Sequence, residues 1–176
     1  MLKKLLLDLS TRQTWALVAL ACMGLLGFGA YLQHVVGLEP CPMCIVHRYA
    51  MTGIALVALL AVFGHKGWLG WVMTTLGTGL ALGGAFVAAR QSWLQWYPPE
   101  TLSCGRDFYG MVESFPLQRA IPMIFRGGGD CTKIDWTFLG GSIANWSFVA
   151  FVAMAVWMVV FAFLHKQNTQ PAPEQV

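Results

Sequence analysis

The sequence predicts an all-α integral membrane protein: a four-helix bundle with one long extramembrane loop that carries a second pair of cysteines. Three observations carry this. The 176-residue chain is 57% hydrophobic and 11% charged, with a mean hydropathy of +0.60, whereas a soluble domain has roughly 25% charged residues. Four apolar runs each approach the about 20 residues of helix that cross a bilayer. Four of the five cysteines fall in only two of the intervening segments. A soluble domain of this size has too little interior to hide so much apolar surface, so lipid is the expected solvent. The length suits a single transmembrane domain over 1–176. The net charge of +3 is scattered rather than clustered, which excludes a nucleic-acid footprint.

The first span is expected at about residues 15–32, after Lys3, Lys4 and Arg12. A basic start before an apolar run also opens a signal peptide, and Ala19-Leu20-Ala21 before Cys22 weakly resembles a cleavage site. The run is longer than a signal h-region, so it reads as a retained helix. A short segment, about 33–44, leads to a second span at about 45–63. The four-residue link Gly64–Gly67 joins it to a third at about 68–89. A long loop, about 90–143, precedes the fourth, at about 146–164. Trp, Tyr or His near the span ends suit the headgroup layer. Gly24, Gly27, Gly29, Gly77, Gly79, Gly83 and Gly84 are expected to let helices approach closely.

Basic residues orient the bundle. Lys3, Lys4, Arg12, Lys66 and Lys166 fall on one side, which the positive-inside rule makes the cytoplasm. The five basic residues of the long loop, Arg90 to Lys133, are spread out and mixed with acids, so they weigh less. Both termini are then cytoplasmic, and the segments 33–44 and 90–143 face the periplasm or its equivalent. These two segments hold Cys41, Cys44, Cys104 and Cys131, on the side where disulfides persist. Cys22 lies mid-span and reads as a small buried hydrophobe.

Cys41-Pro42-Met43-Cys44 is the sharpest local signal. Pro40 and Pro42 resist helix before and at its start, and the apolar run begins at Ile45. The motif therefore belongs at a helix N-terminus on the membrane surface, where free N–H groups and the helix dipole stabilise an anion. A thiolate there has a lowered pKa and becomes a better nucleophile and leaving group. Arg48, four residues after Cys44, shares its face and can reach its sulfur or a molecule against it. A charge one turn into a spanning helix usually has a task; anchoring lipid phosphate is the plainer reading. His34 and His47 flank the motif and read as ordinary interfacial histidines.

Cys104 and Cys131 lie in the long loop. As a staple they close about 25–30 residues, a stabilisation of about 3 kcal/mol. Their flanks, Pro98-Pro99, Gly105 and Gly127-Gly128-Gly129-Asp130, suit instead a bond that is attacked, opened and moved. Between them, Phe115, Leu117, Ile121, Met123, Ile124 and Phe125 form an apolar patch around Arg119 and Pro122. The patch is too short to span, so it reads as an interfacial segment or as packing under the loop. A CxxC is also half of a zinc site. The other half needs closely spaced soft ligands, and Cys104 and Cys131 are 27 residues apart, so no metal is expected.

Taken together, Pro40-Cys41-Pro42-Met43-Cys44-Ile45-Val46-His47-Arg48, then Leu94-Gln95-Trp96-Tyr97-Pro98, Cys104, Gly129-Asp130-Cys131 and Trp136-x-Phe138-Leu139-Gly140 resemble the DsbB family of bacterial disulfide bond formation proteins over nearly the whole chain. CxxC alone is weak; the order, loop placement, arginine and second cysteine pair are specific. His47 stands where that family more often has an acidic or amide residue, and Gln91 where a family member has a His near the quinone. These departures leave the cysteine relay intact and limit the carry-over of quinone contacts to Arg48.

The resemblance implies a multi-pass protein of the bacterial inner membrane that reoxidises a periplasmic, thioredoxin-like thiol oxidase of the DsbA type. The known DsbA–DsbB–quinone route keeps the periplasm oxidising. On that pattern the partner attacks Cys104 of a Cys104–Cys131 disulfide, and electrons pass to Cys41–Cys44. Cys44 meets an exchangeable ubiquinone or menaquinone, Arg48 stabilises the developing charge, and Cys41 re-forms the disulfide. A helix end at the boundary is reachable both from lipid, which confines quinone, and from water, which confines the protein substrate. Two other readings stay open: a quinone reductase of the vitamin K epoxide reductase class, and a non-enzymatic protein with disulfide staples. A metal-binding sensor is a third.

Overall fold

In a computed structural model of the chain, residues 2–64, 67–98, 122 and 129–169 are described. Four long helices dominate: α1 (Leu2–His34), α2 (Pro42–Gly64), α3 (Gly67–Trp96) and α5 (Ile143–Thr169). A single turn, α4 (Gly129–Thr132), and a small hairpin of β1 (Thr137–Phe138) and β2 (Gly141–Ser142) lie between α3 and α5. Within the long helices, Thr11–His34, Pro42–Gly64, Gly67–Trp96 and Ile143–Phe163 are long and apolar enough to cross a membrane. The fold is therefore the expected helical membrane bundle.

The helices outrun the apolar runs that announced them. α1 begins at Leu2 rather than near 15, and α3 continues to Trp96 rather than stopping near 89. Hydropathy falls where lipid ends, but a helix stops only at a breaker. Arg90–Trp96 contain none, and Pro98 disfavours helix just before it. α2 starts at Pro42, ahead of Ile45, because proline at the first helical position lacks only an N–H that would be unpaired anyway.

α1 packs on α2, α2 on α3 and α3 on α5. Their shared core joins Trp15, Ala19 and Cys22 of α1 with Ile54, Ala58 and Ala61 of α2, Ala81, Ala85 and Ala88 of α3, and Phe151, Met154 and Met158 of α5. Small residues set the spacing, but only some of the expected ones do. A Cβ on Gly84 would lie 2.5 Å from the Phe151 ring, and one on Gly77 would lie 3.0 Å from the Met158 sulfur. Gly24, Gly27, Gly79 and Gly83 face open space instead. Outside the core, Leu17, Leu60, Phe63, Leu82, Phe86 and Val156 are exposed. Such an outward apolar surface is stable only against lipid.

The hairpin was not expected. Leu139 and Gly140 both have positive φ, 49° and 79°, as the tight turn between paired strands requires. Gly129 and Asp130, expected as a loose flank of Cys131, form the single turn of α4 with Cys131 and Thr132. Cys104 and the apolar patch of residues 115–125 lie outside the described residues.

Candidate functional site

The site is built at the start of α2. Cys41 precedes the helix and acts as its N-terminal cap. Its carbonyl accepts from the Ile45 N–H at 3.2 Å, and its sulfur accepts from the Cys44 N–H at 3.3 Å, the position an N-cap side chain normally serves. The cap geometry folds the motif back on itself, so the two sulfurs stand 2.9 Å apart.

Gln91 of α3 closes on the pair from the side. Its amide Nε2 donates to Cys41 Sγ at 3.2 Å and to Cys44 Sγ at 3.3 Å, and Cys44 Sγ points back to its Oε1 at 3.8 Å. Gln91 is buried, so its hydrogen bonds act where water does not compete. The sequence marked Gln91 only as a departure from a family pattern. Its central place has a faint sequence signal: an uncharged polar side chain just after Ala88-Ala89-Arg90, at the end of an apolar run.

Cys131 comes to the same spot from α4. It is fully buried and belongs to one packed cluster with Cys41, Met43, Val87 and Leu94. Hydrogen bonding to Cys131, then to Cys44, together with burial, pushes the Cys41 thiol well above its ordinary range and keeps it protonated. Of the four cysteines singled out in the sequence, the structure thus gathers Cys41, Cys44 and Cys131.

Arg48, expected to reach the Cys44 sulfur or a molecule lying against it, borders the same cavity as Cys44 but makes its hydrogen bonds elsewhere. It reaches across to α1, where Nη2 donates to the Gly29 carbonyl at 3.0 Å and Nη1 donates to Gln33 Oε1. The guanidinium is therefore held by α1 rather than hydrogen-bonded to Cys44, although its charge still acts on that sulfur through space. Anchored in this way, its planar fork is positioned before any ligand arrives.

Cys41, Cys44 and Arg48 all border a cavity of about 680 Å³ between α1, α2 and α5. Leu25, Leu26, Leu32, Met51, Ala150 and Ala153 make most of its wall apolar. Its rim is aromatic: Phe28 meets Trp136 edge-on at 5.7 Å, Trp136 stacks on Phe138 at 6.1 Å, and Trp146 donates its indole N–H to the Phe138 carbonyl at 2.9 Å. The hairpin thus bridges α1 and α5 over the cavity. It is tied down further by Ser142, whose hydroxyl donates to Gln95 Oε1 at 2.6 Å.

Residues 11–161 match the family model described as disulfide bond formation protein DsbB. The chain is similar to the disulfide bond formation protein B of Acidovorax sp. (strain JS42), 64% identical over 156 residues that cover 88% of each chain. That of Albidiferax ferrireducens is 67% identical over 147 residues, 82% of this chain and 83% of the relative. A more distant one, from Aromatoleum aromaticum, is 53% identical over 154 residues, 86% and 92% of the two chains.

Proposed function

From a chain that belongs to the DsbB family of disulfide bond formation proteins, we propose a specific electron path: from a periplasmic DsbA-type dithiol, through Cys104–Cys131 and then Cys41–Cys44, to a membrane quinone. The observation that carries it is the double contact of the CxxC. Cys41 touches Cys131 on one side, while Cys44 borders an apolar cavity on the other. Each sulfur has its own exchange partner, which a pure staple does not need.

The second exchange follows from that contact. Thiol–disulfide exchange requires a thiolate to reach a disulfide sulfur directly. Cys131, once released from Cys104, is in position to bond Cys41 and free Cys44. Cys44 then faces the cavity with the Gln91 amide and the Arg48 charge beside it. Attack of the released Cys104 thiolate on Cys131 re-forms Cys104–Cys131 and frees Cys41 as a thiol, which closes the Cys41–Cys44 bond as the quinone takes the two electrons.

The cavity suits a quinone in three respects. Its volume lies within the about 300–1,000 Å³ of small-molecule sites. Its wall is apolar apart from a few polar groups near the sulfurs, and its rim offers aromatic faces to a flat ring. Exposed Phe28, Leu25 and Val149 at its edge suit a hydrocarbon tail in lipid. The acceptor, ubiquinone or menaquinone, takes the two electrons of the dithiol and ends as quinol.

An even number of spans puts the start of α1 and the end of α5 on the same side of the membrane, opposite Cys41. With Lys3, Lys4, Arg12 and Lys166 at that end, the proposal places both termini in the cytoplasm and the protein in the inner membrane. The deciding experiment reconstitutes the full chain in nanodiscs with a reduced thioredoxin-like dithiol oxidase and ubiquinone-1 or menaquinone-1. One quinol should form per dithiol oxidised. Oxidation of the dithiol with no quinol formed, or no oxidation at all, rejects the path.

A further inference from the structure

The cavity wall carries a polar atom that neither the cysteine relay nor the anchoring of Arg48 uses. His47 lies three residues after Cys44 on α2, a spacing at which side chains share a helix face. It is 4% exposed and borders the cavity, and its ring meets Phe151 of α5 edge-on at 5.9 Å. The backbone of Val87 on α3 hydrogen-bonds the ring. Nε2 has no hydrogen-bond partner among the described residues, so the Val87 bond belongs to Nδ1. A neutral imidazole that donates from Nδ1 leaves a bare lone pair on Nε2. Buried polar atoms without partners are uncommon and call for an explanation.

The chemistry of the site supplies one. When a dithiol reduces a quinone, two electrons and two protons leave the thiols, an S–S bond forms, and both quinone oxygens gain hydrogen. Arg48 cannot carry a proton, because a guanidinium stays charged, and an amide such as Gln91 does not titrate. Glu39, Lys133 and Asp135 also border the cavity, but on segments outside the helices. Thiols apart, His47 is the proton-exchanging side chain on the cavity's helical wall among the described residues.

We propose that His47 is the proton carrier of this site: Nε2 takes the proton of the Cys44 thiol as that sulfur becomes a nucleophile, and returns it to a quinone oxygen. The second proton, from Cys41, goes to the other oxygen as the disulfide closes. Nothing beyond dithiol and quinone is consumed. This inference rests on the quinone reading above, but its first test does not involve quinone.

The experiment uses the full chain in nanodiscs, as wild type, His47→Gln and His47→Ala. Reduced, quinone-free protein is alkylated with iodoacetamide across a range of pH, and modification of Cys44 is read by peptide mass spectrometry. His47→Gln is expected to slow alkylation near neutral pH and move its midpoint upward. With saturating ubiquinone-1, quinol formation should fall about 100-fold, the scale of lost acid–base catalysis, with KM changed less than about threefold. Added imidazole should restore His47→Ala and leave wild type unaffected; if His47→Gln melts early, this rescue decides. Wild-type alkylation and turnover in His47→Gln, a rise in KM alone, or no rescue each overturns the proposal. If wild type forms no quinol while His47→Gln still slows alkylation, the quinone reading fails and proton exchange between His47 and Cys44 stands.

Discussion

The bundle holds sulfur in two regions, and the two treat it differently. Cys22 sits in the middle of α1 among Ala19, Ile54 and Ala58, fully buried, with the Met154 sulfur at 3.4 Å as its contact. Around it every helix backbone is internally bonded, as a membrane interior demands, and the space is filled. Cys41 and Cys44 sit where α2 begins. There the helix has unpaired N–H groups, an amide enters from α3, a guanidinium stands nearby, and a cavity opens toward α1 and α5. The same element is inert packing in one place and poised chemistry in the other. What differs is the supply of donors and of room, and a helix end provides both while a helix middle provides neither.

The largest expected effect tests this contrast directly. Cys44→Ser or Cys41→Ser should lower quinone-linked dithiol oxidation by at least about 1,000-fold, since the nucleophile itself is lost. A comparable loss in Cys22→Ala would erase the distinction between the regions. Next comes Arg48→Lys, which keeps the charge but cannot hold Gly29 and Gln33 together. The lost charge-assisted bond should raise the KM for ubiquinone-1 by about 10–100-fold. In the packed region, Gly84→Ala forces a Cβ against Phe151 and should cost about 1–3 kcal/mol, read as early thermal unfolding in detergent with Cys44 alkylation unchanged in the folded fraction. Gln91→Leu removes the donor shared by the two sulfurs and should slow Cys44 alkylation about tenfold, the worth of one hydrogen bond to a charged group. The smallest effect belongs to Cys22→Ala itself. Turnover within about twofold of wild type and a stability loss of about 1 kcal/mol sharpen the picture of a cysteine that only fills space.

How far these features could be read from the sequence depends on their range. The four apolar runs and the Pro-Cys-Pro-Met-Cys start of α2 are local, and the helices form where they point. The helix ends were less legible, because an apolar run marks the edge of lipid, whereas α1 and α3 continue into polar residues that still favour helix. The Phe138-Leu139-Gly140-Gly141 turn carries a glycine signal, yet its two-residue strands are too short to leave an alternating pattern. Of the glycines, sequence could not separate Gly84, which receives the Phe151 ring, from Gly83 beside it, which meets nothing. The two differ only in the face of α3 they occupy.

The chain by itself determined that this is a helical membrane protein of the DsbB family, with the Pro-Cys-Pro-Met-Cys start of α2 at a bundle end and Cys22 inside. Partition between water and lipid acts residue by residue, so it can be summed along a sequence. Tertiary structure alone decided that Gln91 reaches both sulfurs, that Arg48 turns to α1, that Cys131 meets Cys41, and that the Nε2 of His47 is left without a partner. Each of these depends on how one helix is rotated and slid against another. That registry is set by the packing of many small and large side chains at once, and no single stretch of sequence contains it.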